Sequence, residues 1–497
     1  MNKFNAILKT GKFQVAFMLF LTILTQFLSI CKSSMVVANF GAGNELDAFN
    51  FSNNIISFFF AFISTGITTV IIPAYVKKKD EKAINSFLTA VYGVTFLLIL
   101  FTYIFRVPLV SILVNRNEDF KEIVFYCLLF SILIQGLPSF LGITAAYYQC
   151  INKYNTPKVI LMISNFLVVV VLFSLKNYTL ATYLNVLLLG AVLQFILDIY
   201  IAIKSGFSFS ITFDFKNKEY KELIFIFLPT LFSTGAFKIQ SLIDSLLAAN
   251  LPEGQLTILS YSNTIVSMIN NLMIGNLTIY IYPKIVRKLE KSEEMGKATL
   301  WNYAVDFHAA LCLVIVGFFA CGREFISILY ENGKFTEEAA SVLFVGACIY
   351  VFGQQNNIVR DLFYRFFYAK GDTRTTLKNS VIVSVLNIVI SLALVQYLGV
   401  YGIILGTVIA GFISLVMIII RFNRKFGKTN NTILYFFQFA KNEMALITSI
   451  IFVYIIRNMV IIENDIIKFL LFGFLSVLVY VFCLVILKSK TIRSFFR

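Results

Sequence analysis

The chain has 497 residues, 59% of them hydrophobic and only 14% charged, whereas a water-soluble protein would carry roughly 25% charged residues. Mean hydropathy is +0.83, and continuous apolar runs of about 20 residues, enough to cross a bilayer core as helix, recur from end to end. Continuous runs exclude a membrane β-barrel, whose strands alternate. The net charge of +16 does not argue for nucleic acid, because its distribution follows the membrane segments.

The expected fold is an all-α polytopic membrane protein with fourteen transmembrane helices. Their expected positions are about residues 12–38, 46–76, 84–113, 120–150, 157–177, 179–204, 220–249, 254–287, 298–329, 336–369, 374–397, 399–425, 435–460 and 463–488. Several exceed 25 residues, which implies tilt or interfacial ends, and the short connections leave no room for a soluble domain. Lys and Arg collect in alternate connections: 29 of the 42 lie on one side and about seven on the other. By the positive-inside rule both termini are then cytoplasmic, which requires an even number of spans.

Span 1 follows Lys3, Lys9 and Lys12 as a signal peptide would, but no small-residue cleavage site ends its apolar run, so it is kept as a helix. Lys32 lies deep in it, with Thr25 and Ser29 on the same face. A charge inside a span costs roughly 2.5–3.5 kcal/mol on insertion scales and marks a pathway or a buried pair, unless it snorkels from near the helix end. Span 2 opens after the Gly41-Ala42-Gly43 turn, and its Asp47, Asn50, Asn54 and Ser57, at i, i+3, i+7 and i+10, share one face. Asp47 suits an N-cap, where a carboxylate also complements the helix dipole, and equally suits substrate contact.

Span 7 places Lys238 and Asp244 in the membrane, six residues apart and on different faces, either on a substrate route or as glue between helices. Span 8 repeats span 2. At a constant offset of 210 the two share Leu46/Leu256, Ser52/Ser262, Asn53/Asn263, Ile55/Ile265, Ser57/Ser267, Thr68/Thr278, Ile71/Ile281, Pro73/Pro283, Val76/Val286 and Lys78/Lys288. The chain is therefore built from two related halves. Thr257, Ser260, Thr264, Ser267 and Asn271 form the second polar face; turning either face to lipid would waste several kcal/mol.

Span 9 holds Asp306 and the single histidine, His308, which face different directions without an accompanying Cys or Glu cluster, so no metal site is expected. Span 10 ends with Arg360, Asp361 and Arg365; the first two point apart, while Asp361 and Arg365 are i,i+4 and can pair. Spans 13 and 14 have no counterpart in a two-times-six scheme and read as featureless apolar helices in contact with lipid. The seven cysteines are scattered, without a CxxC, as small buried apolar residues.

The expected domains are an N-lobe at 1–215 (spans 1–6), a C-lobe at 216–430 (spans 7–12) and the two last spans at 431–497. Spans 2 and 8 cross in the same direction, so the repeat is parallel, with polar faces enclosing a central cavity and alternating access by rocking. The candidate route residues are Lys32, Asp47, Asn50, Asn53, Asn54, Ser57, Lys238, Asp244, Ser260, Asn263, Thr264, Ser267 and Arg365. Such a cavity, with Asn, Ser, Thr and a few cations among Phe, suits an anionic headgroup on a hydrophobic tail. No GxxxxGK[ST] occurs, so no nucleotide is hydrolysed by that route, and no cofactor or enzyme activity is expected. A glycan polymerase would need larger outer loops than the longest, around residues 323–338.

Several stretches resemble the MurJ/MviN lipid II flippases of the MOP (multidrug/oligosaccharidyl-lipid/polysaccharide) superfamily. They are Phe40-Gly41-Ala42-Gly43 with Asp47-Ala48-Phe49, Ile243-Asp244 with Leu251-Pro252-Glu253-Gly254, residues 329–336 (LYENGKFT), residues 365–375 (RFFYAKGDTRT) and Leu398-Gly399-Val400-Tyr401-Gly402. The resemblance implies two lobes around a cationic cavity and a lipid-tail groove beside spans 13 and 14. It implies flipping of an undecaprenyl-diphosphate-linked sugar, lipid II or a related lipid-linked oligosaccharide, across a bacterial cytoplasmic membrane. It also implies partners limited to that substrate and membrane lipids, acting as a monomer or beside glycan synthases. Where the family has functional arginines on helices 1, 2 and 8, this chain has Lys32, Phe60 and Thr264, and an earlier helix 1 arginine aligns with Gln26. The alternative reading is a cation-coupled exporter of small amphipathic compounds, which would have twelve principal helices and an acidic cavity.

Overall fold

The computed structural model describes residues 11–76, 80–151, 153–271, 276–430, 432–460 and 462–490. Lys3, Lys9, Lys77, Lys78, Lys79, Arg493 and Arg497, which entered the topology argument, lie outside them. The described residues form seventeen helices and no strand. The first nine are α1 (Gly11–Phe40), α2 (Asn44–Val76), α3 (Glu81–Ile104), α4 (Arg106–Leu113), α5 (Glu118–Phe140), α6 (Gly142–Cys150), α7 (Thr156–Ser174), α8 (Leu180–Lys204) and α9 (Lys218–Ala249). The remainder are α10 (Gln255–Asn270), α11 (Asn276–Lys291), α12 (Glu293–Tyr330), α13 (Glu337–Ala369), α14 (Thr373–Leu398), α15 (Val400–Phe426), α16 (Thr432–Met459) and α17 (Asp465–Ile486).

Each expected span coincides with one helix or with two consecutive ones. The third divides at Phe105 and the fourth at Leu141, while residues 272–275 of the eighth lie outside the described residues. Pro138 explains the second division, because proline near the end of α5 withdraws a backbone donor, and Leu141 N–H turns back to the Pro138 carbonyl at 3.1 Å. Among the described residues, eleven helical segments are long and apolar enough to cross a membrane.

The chain packs as two compact units, residues 1–257 and 258–497. In the first, α2 is central and packs on α3, α5, α6 and α9, while α1 lies on α7 and α8 contacts both α5 and α7. Its core includes Phe51, Ile56, Phe60, Val124 and Cys127. Phe60 fits because Gly136 of α5 has no side chain: a Cβ there would lie 2.9 Å from Phe60 Cζ.

In the second unit α12 packs on α11, α13, α16 and α17, and α15 on α13 and α14. The single tryptophan, Trp301, is buried at its centre with Phe363, Phe366, Phe367 and Phe422. Its indole N–H finds the partner a buried tryptophan needs in Thr429 Oγ1, at 3.1 Å. Buried Asn379 of α14 donates to the Tyr364 hydroxyl at 2.9 Å and to Ser414 Oγ at 2.8 Å, polar glue joining three helices.

The last two helices are not featureless, contrary to the sequence expectation. Arg457 of α16 donates to buried Glu324 at 3.1 Å and to the Ala320 carbonyl at 2.7 Å. Glu443 meets His308 at 3.1 Å, and the Tyr480 hydroxyl of α17 donates to the Ala309 carbonyl at 3.0 Å. Their partners on α12 lie more than a hundred residues away, beyond the reach of any local sequence pattern. The outer sides of α16 and α17 are apolar as expected, with Phe437, Ile451, Leu470 and Phe474 exposed.

Candidate functional site

The N-terminal turns of the two repeated helices meet at equivalent positions. Asp47, 0% exposed, accepts from Gly254 N–H at 2.9 Å, Thr257 N–H at 2.8 Å, Thr257 Oγ1 at 2.7 Å and Arg116 Nη1 at 3.2 Å. Asp47 and Thr257 are themselves a repeat pair, 210 residues apart. Beside them Asn44 N–H donates to Glu253 Oε1 at 2.9 Å, and Arg116 also donates to Asn44 Oδ1. Gly254, with φ +85°, approaches Ala42 so closely that a Cβ would lie 2.5 Å from the Ala42 carbonyl oxygen.

This corrects the reading of Asp47 as the N-cap of its own helix. Because α2 begins at Asn44, Asp47 lies within its first turn and caps the start of α10 instead. An ionised carboxylate has about four acceptor sites, and here four bonds fill them, leaving none for a passing substrate.

Farther along α2 the polar face is half-buried and partly bonded within the first unit. Asn54 Nδ2 donates to Ser245 Oγ at 2.8 Å, beside buried Asp244, and Asn53 Oδ1 accepts from Gln135 at 3.4 Å. Ser57 Oγ turns to the Asn54 carbonyl at 3.1 Å. The amide nitrogen of Asn50 is buried without a hydrogen-bond partner among the described residues. Lys32 on α1 and Lys238 on α9 are also half-buried, and neither has a carboxylate within 4 Å among the described residues. Thr25 and Ser29, which share the Lys32 face, bond the carbonyls of Leu21 and Thr25 one turn back.

On α10 the polar face is open. Asn263, Ser267 and Asn271 are exposed and Ser260 and Thr264 half-exposed, whereas Ile258, Leu259, Tyr261, Ile265 and Val266 on the opposite side are buried. The expected Asp361–Arg365 pair does not form. Asp361 instead accepts from its neighbour Arg360, at 3.0 Å from Nη2 and 3.1 Å from Nε, because a long flexible arginine can fold back across one residue. Arg365 is left over the Tyr282 ring, 6.0 Å from its centroid.

The family described as "Lipid II flippase MurJ" matches the chain over residues 36–489. The chain belongs to that family. A probable lipid II flippase MurJ of Rickettsia prowazekii (strain Madrid E) is 22% identical over 416 residues, covering 80% of each chain. One of Borreliella burgdorferi is 25% identical over 423 residues, again 80% of each. In fold the chain is similar to a solved lipid II flippase MurJ in an inward closed conformation, with a TM-score of 0.80 at 18% identity over 97% of this chain and 100% of that one. An inward-facing multidrug resistance MATE transporter of the MOP superfamily is less similar, with a TM-score of 0.66 at 13% identity over 82% of this chain and 96% of that one.

MurJ membership makes this a flippase family of membrane transporters. Phe60 and Thr264 stand where the sequence resemblance implies family arginines. Phe60 is packed into the first unit's core beside Gly136 and Phe140, with ring centroids 6.5 Å apart for the phenylalanine pair. Thr264 bonds the Ser260 carbonyl at 2.9 Å on the open face of α10. Arg116, Gln135 and Ser245, which position these polar faces, escaped the sequence reading, and Glu253 entered it only as part of a resembling stretch. The one signal that could have found Arg116 is that a basic residue stands on the side where basic residues are scarce.

Proposed function

We propose that this MurJ-family chain carries an undecaprenyl-linked cell-envelope glycan precursor, lipid II or a related lipid-linked oligosaccharide, from the inner to the outer leaflet of a bacterial cytoplasmic membrane. The observation that supports it best is that three cations, Lys32, Lys238 and Arg365, have no carboxylate within 4 Å among the described residues. A diphosphate headgroup supplies the missing negative charge, and an intramembrane charge marks a substrate route by default. The open face of Ser260, Asn263, Thr264 and Ser267 would be costly against lipid, so in this proposal it faces water and the sugar, with Asn50, Asn53, Asn54, Ser57 and Asp244 contributing from the first repeat. Asp47 is assigned to holding the α10 terminus instead.

The proposal keeps fourteen crossings, both termini in the cytoplasm, repeat lobes at 1–215 and 216–430 that alternate access by rocking, and lipid-tail contact along 431–497. The chain works as a monomer or alongside glycan synthases. Depletion in the native host, followed by identification of undecaprenyl-linked intermediates on the cytoplasmic leaflet, tests it: a glycan-linked intermediate should accumulate there, and accumulation of none removes the proposal.

A further inference from the structure

The single histidine lies in a cluster that the transport reading does not use. His308 and Cys312, four residues apart on α12, share one helix face. Glu443 of α16 comes to that face, with Oε1 3.1 Å from His308 Nε2, while Cys312 Sγ lies 3.7 Å from His308 Nδ1. One ligand atom from each of the three residues can be chosen so that all lie within 4.8 Å of one another. The sequence expectation that neither Cys nor Glu accompanies His308 is thereby corrected; Glu443 was invisible to it, 135 residues away.

We propose that His308, Cys312 and Glu443 bind a divalent transition metal ion of the zinc class. The donor set is the first argument: imidazole, thiolate and carboxylate together suit zinc over magnesium or calcium, which prefer oxygen alone. Charge is the second. Cys312 gives up its thiol proton to solvent on binding, and the thiolate and the Glu443 carboxylate then neutralise the two positive charges, so a net-neutral complex replaces a set of buried polar groups. Geometry is the third, since zinc holds N, O and S ligands at about 2.0–2.3 Å, which places neighbouring ligand atoms about 3.3–3.8 Å apart, and side-chain shifts of about 1 Å bring this cluster to that spacing.

The surroundings fit a site that is built and reachable. His308 is 6% exposed and Cys312 0%, but the Glu443 side chain is 34% exposed and gives the ion its way in. The Phe439 ring packs edge-on to the imidazole at 4.8 Å, and buried Gln355 of α13 puts Oε1 3.8 Å from Cys312 Sγ, where it can orient a water in the fourth position. The ion would staple α16, which has no counterpart in the repeat, to α12.

The test uses the full chain purified without a histidine tag, stripped with chelator and titrated with Co²⁺. One equivalent should bind with a sulfur-to-cobalt charge-transfer band, and Zn²⁺ should displace it and raise the melting temperature. Cys312→Ser should abolish the band, while Cys150→Ser retains it. Glu443→Gln keeps a hydrogen-bond partner for His308 at a half-exposed position, so it serves if Cys312→Ser fails to fold; it should weaken Zn²⁺ binding at least tenfold. Absence of the band in the unsubstituted chain, its persistence in Cys312→Ser, or unchanged Zn²⁺ affinity in Glu443→Gln each overturns the proposal.

Discussion

Replacing Asp47 by asparagine keeps the size of the side chain and removes its charge and one of its two acceptor oxygens. The remaining oxygen can still take Thr257 N–H and Oγ1, but the new amide N–H₂ then faces Gly254 N–H and the Arg116 guanidinium, donor against donor. A buried donor left without an acceptor costs about 1–3 kcal/mol, and breaking a buried charge pair from one side costs about 3–5 kcal/mol. Arg116 keeps only 12% of its side chain exposed but also bonds Asn44, so the lower end applies and a loss of about 3 kcal/mol is expected. Reversible denaturant unfolding in detergent micelles measures it, and a cycle with Arg116→Met should return a coupling of about 0.5–3 kcal/mol. A loss below about 0.5 kcal/mol refutes the capping role. So does an Asp47→Asn protein of full abundance and stability that no longer complements a depleted host, which would return Asp47 to the substrate route.

Lys32→Ala and Lys238→Ala should abolish complementation at normal membrane abundance; reduced abundance would mark both as packing residues. Gly136→Ala should destabilise the first unit by about 1–3 kcal/mol through overpacking against Phe60, and Phe60→Leu in the same chain should recover most of it, as read from melting in detergent. Asp372, ahead of α14, is drawn upward by its partial burial but held down to about 2 by Lys425 and by two hydrogen bonds from Thr375. An unfolded aspartate titrates near 3.9, so this contribution is complete above about pH 4 and fades as pH falls towards 2. Asp372→Asn should therefore flatten the pH dependence of melting across that window, and an unchanged profile would count against the assignment.

The sequence carried the helical fold because bilayer thickness imposes a length on apolar runs that few other structures share. It carried the repeat for a reason visible only in three dimensions. Leu46/Leu256, Ser52/Ser262 and Ile55/Ile265 are buried in both copies, whereas Asn53 and Ser57 are partly exposed and Asn263 and Ser267 exposed. The shared identities thus mix a packing face with a polar face. What escaped were contacts closed by tertiary packing: Asp47 on Thr257, Glu443 on His308 and Arg457 on Glu324 each join residues more than a hundred positions apart. The Asp361–Arg365 expectation failed for a local reason, since i,i+4 spacing permits a pair without preventing Arg360 from taking the same carboxylate.

How the basic residues are partitioned bears most directly on transport. Arg116, Lys297, Arg323, Arg360, Lys370, Lys425 and Arg457 all stand within 4 Å of a carboxylate. Lys32, Lys238 and Arg365 have no such partner among the described residues, although Lys32 lies in a helical segment long and apolar enough to cross a membrane, where a cation is costly. An unpaired intramembrane cation is a poor packing residue, because burying a charge without a partner costs several kcal/mol that an apolar side chain of similar volume would not. A passenger that brings its own negative charge resolves the cost only while it is bound, which is what a carrier needs and a structural ion pair does not. Lysine fits that demand in a further way: as a point charge without the planar fork of arginine it attracts a diphosphate without fixing it bidentately, and a cargo held by fewer directed hydrogen bonds is also more readily released.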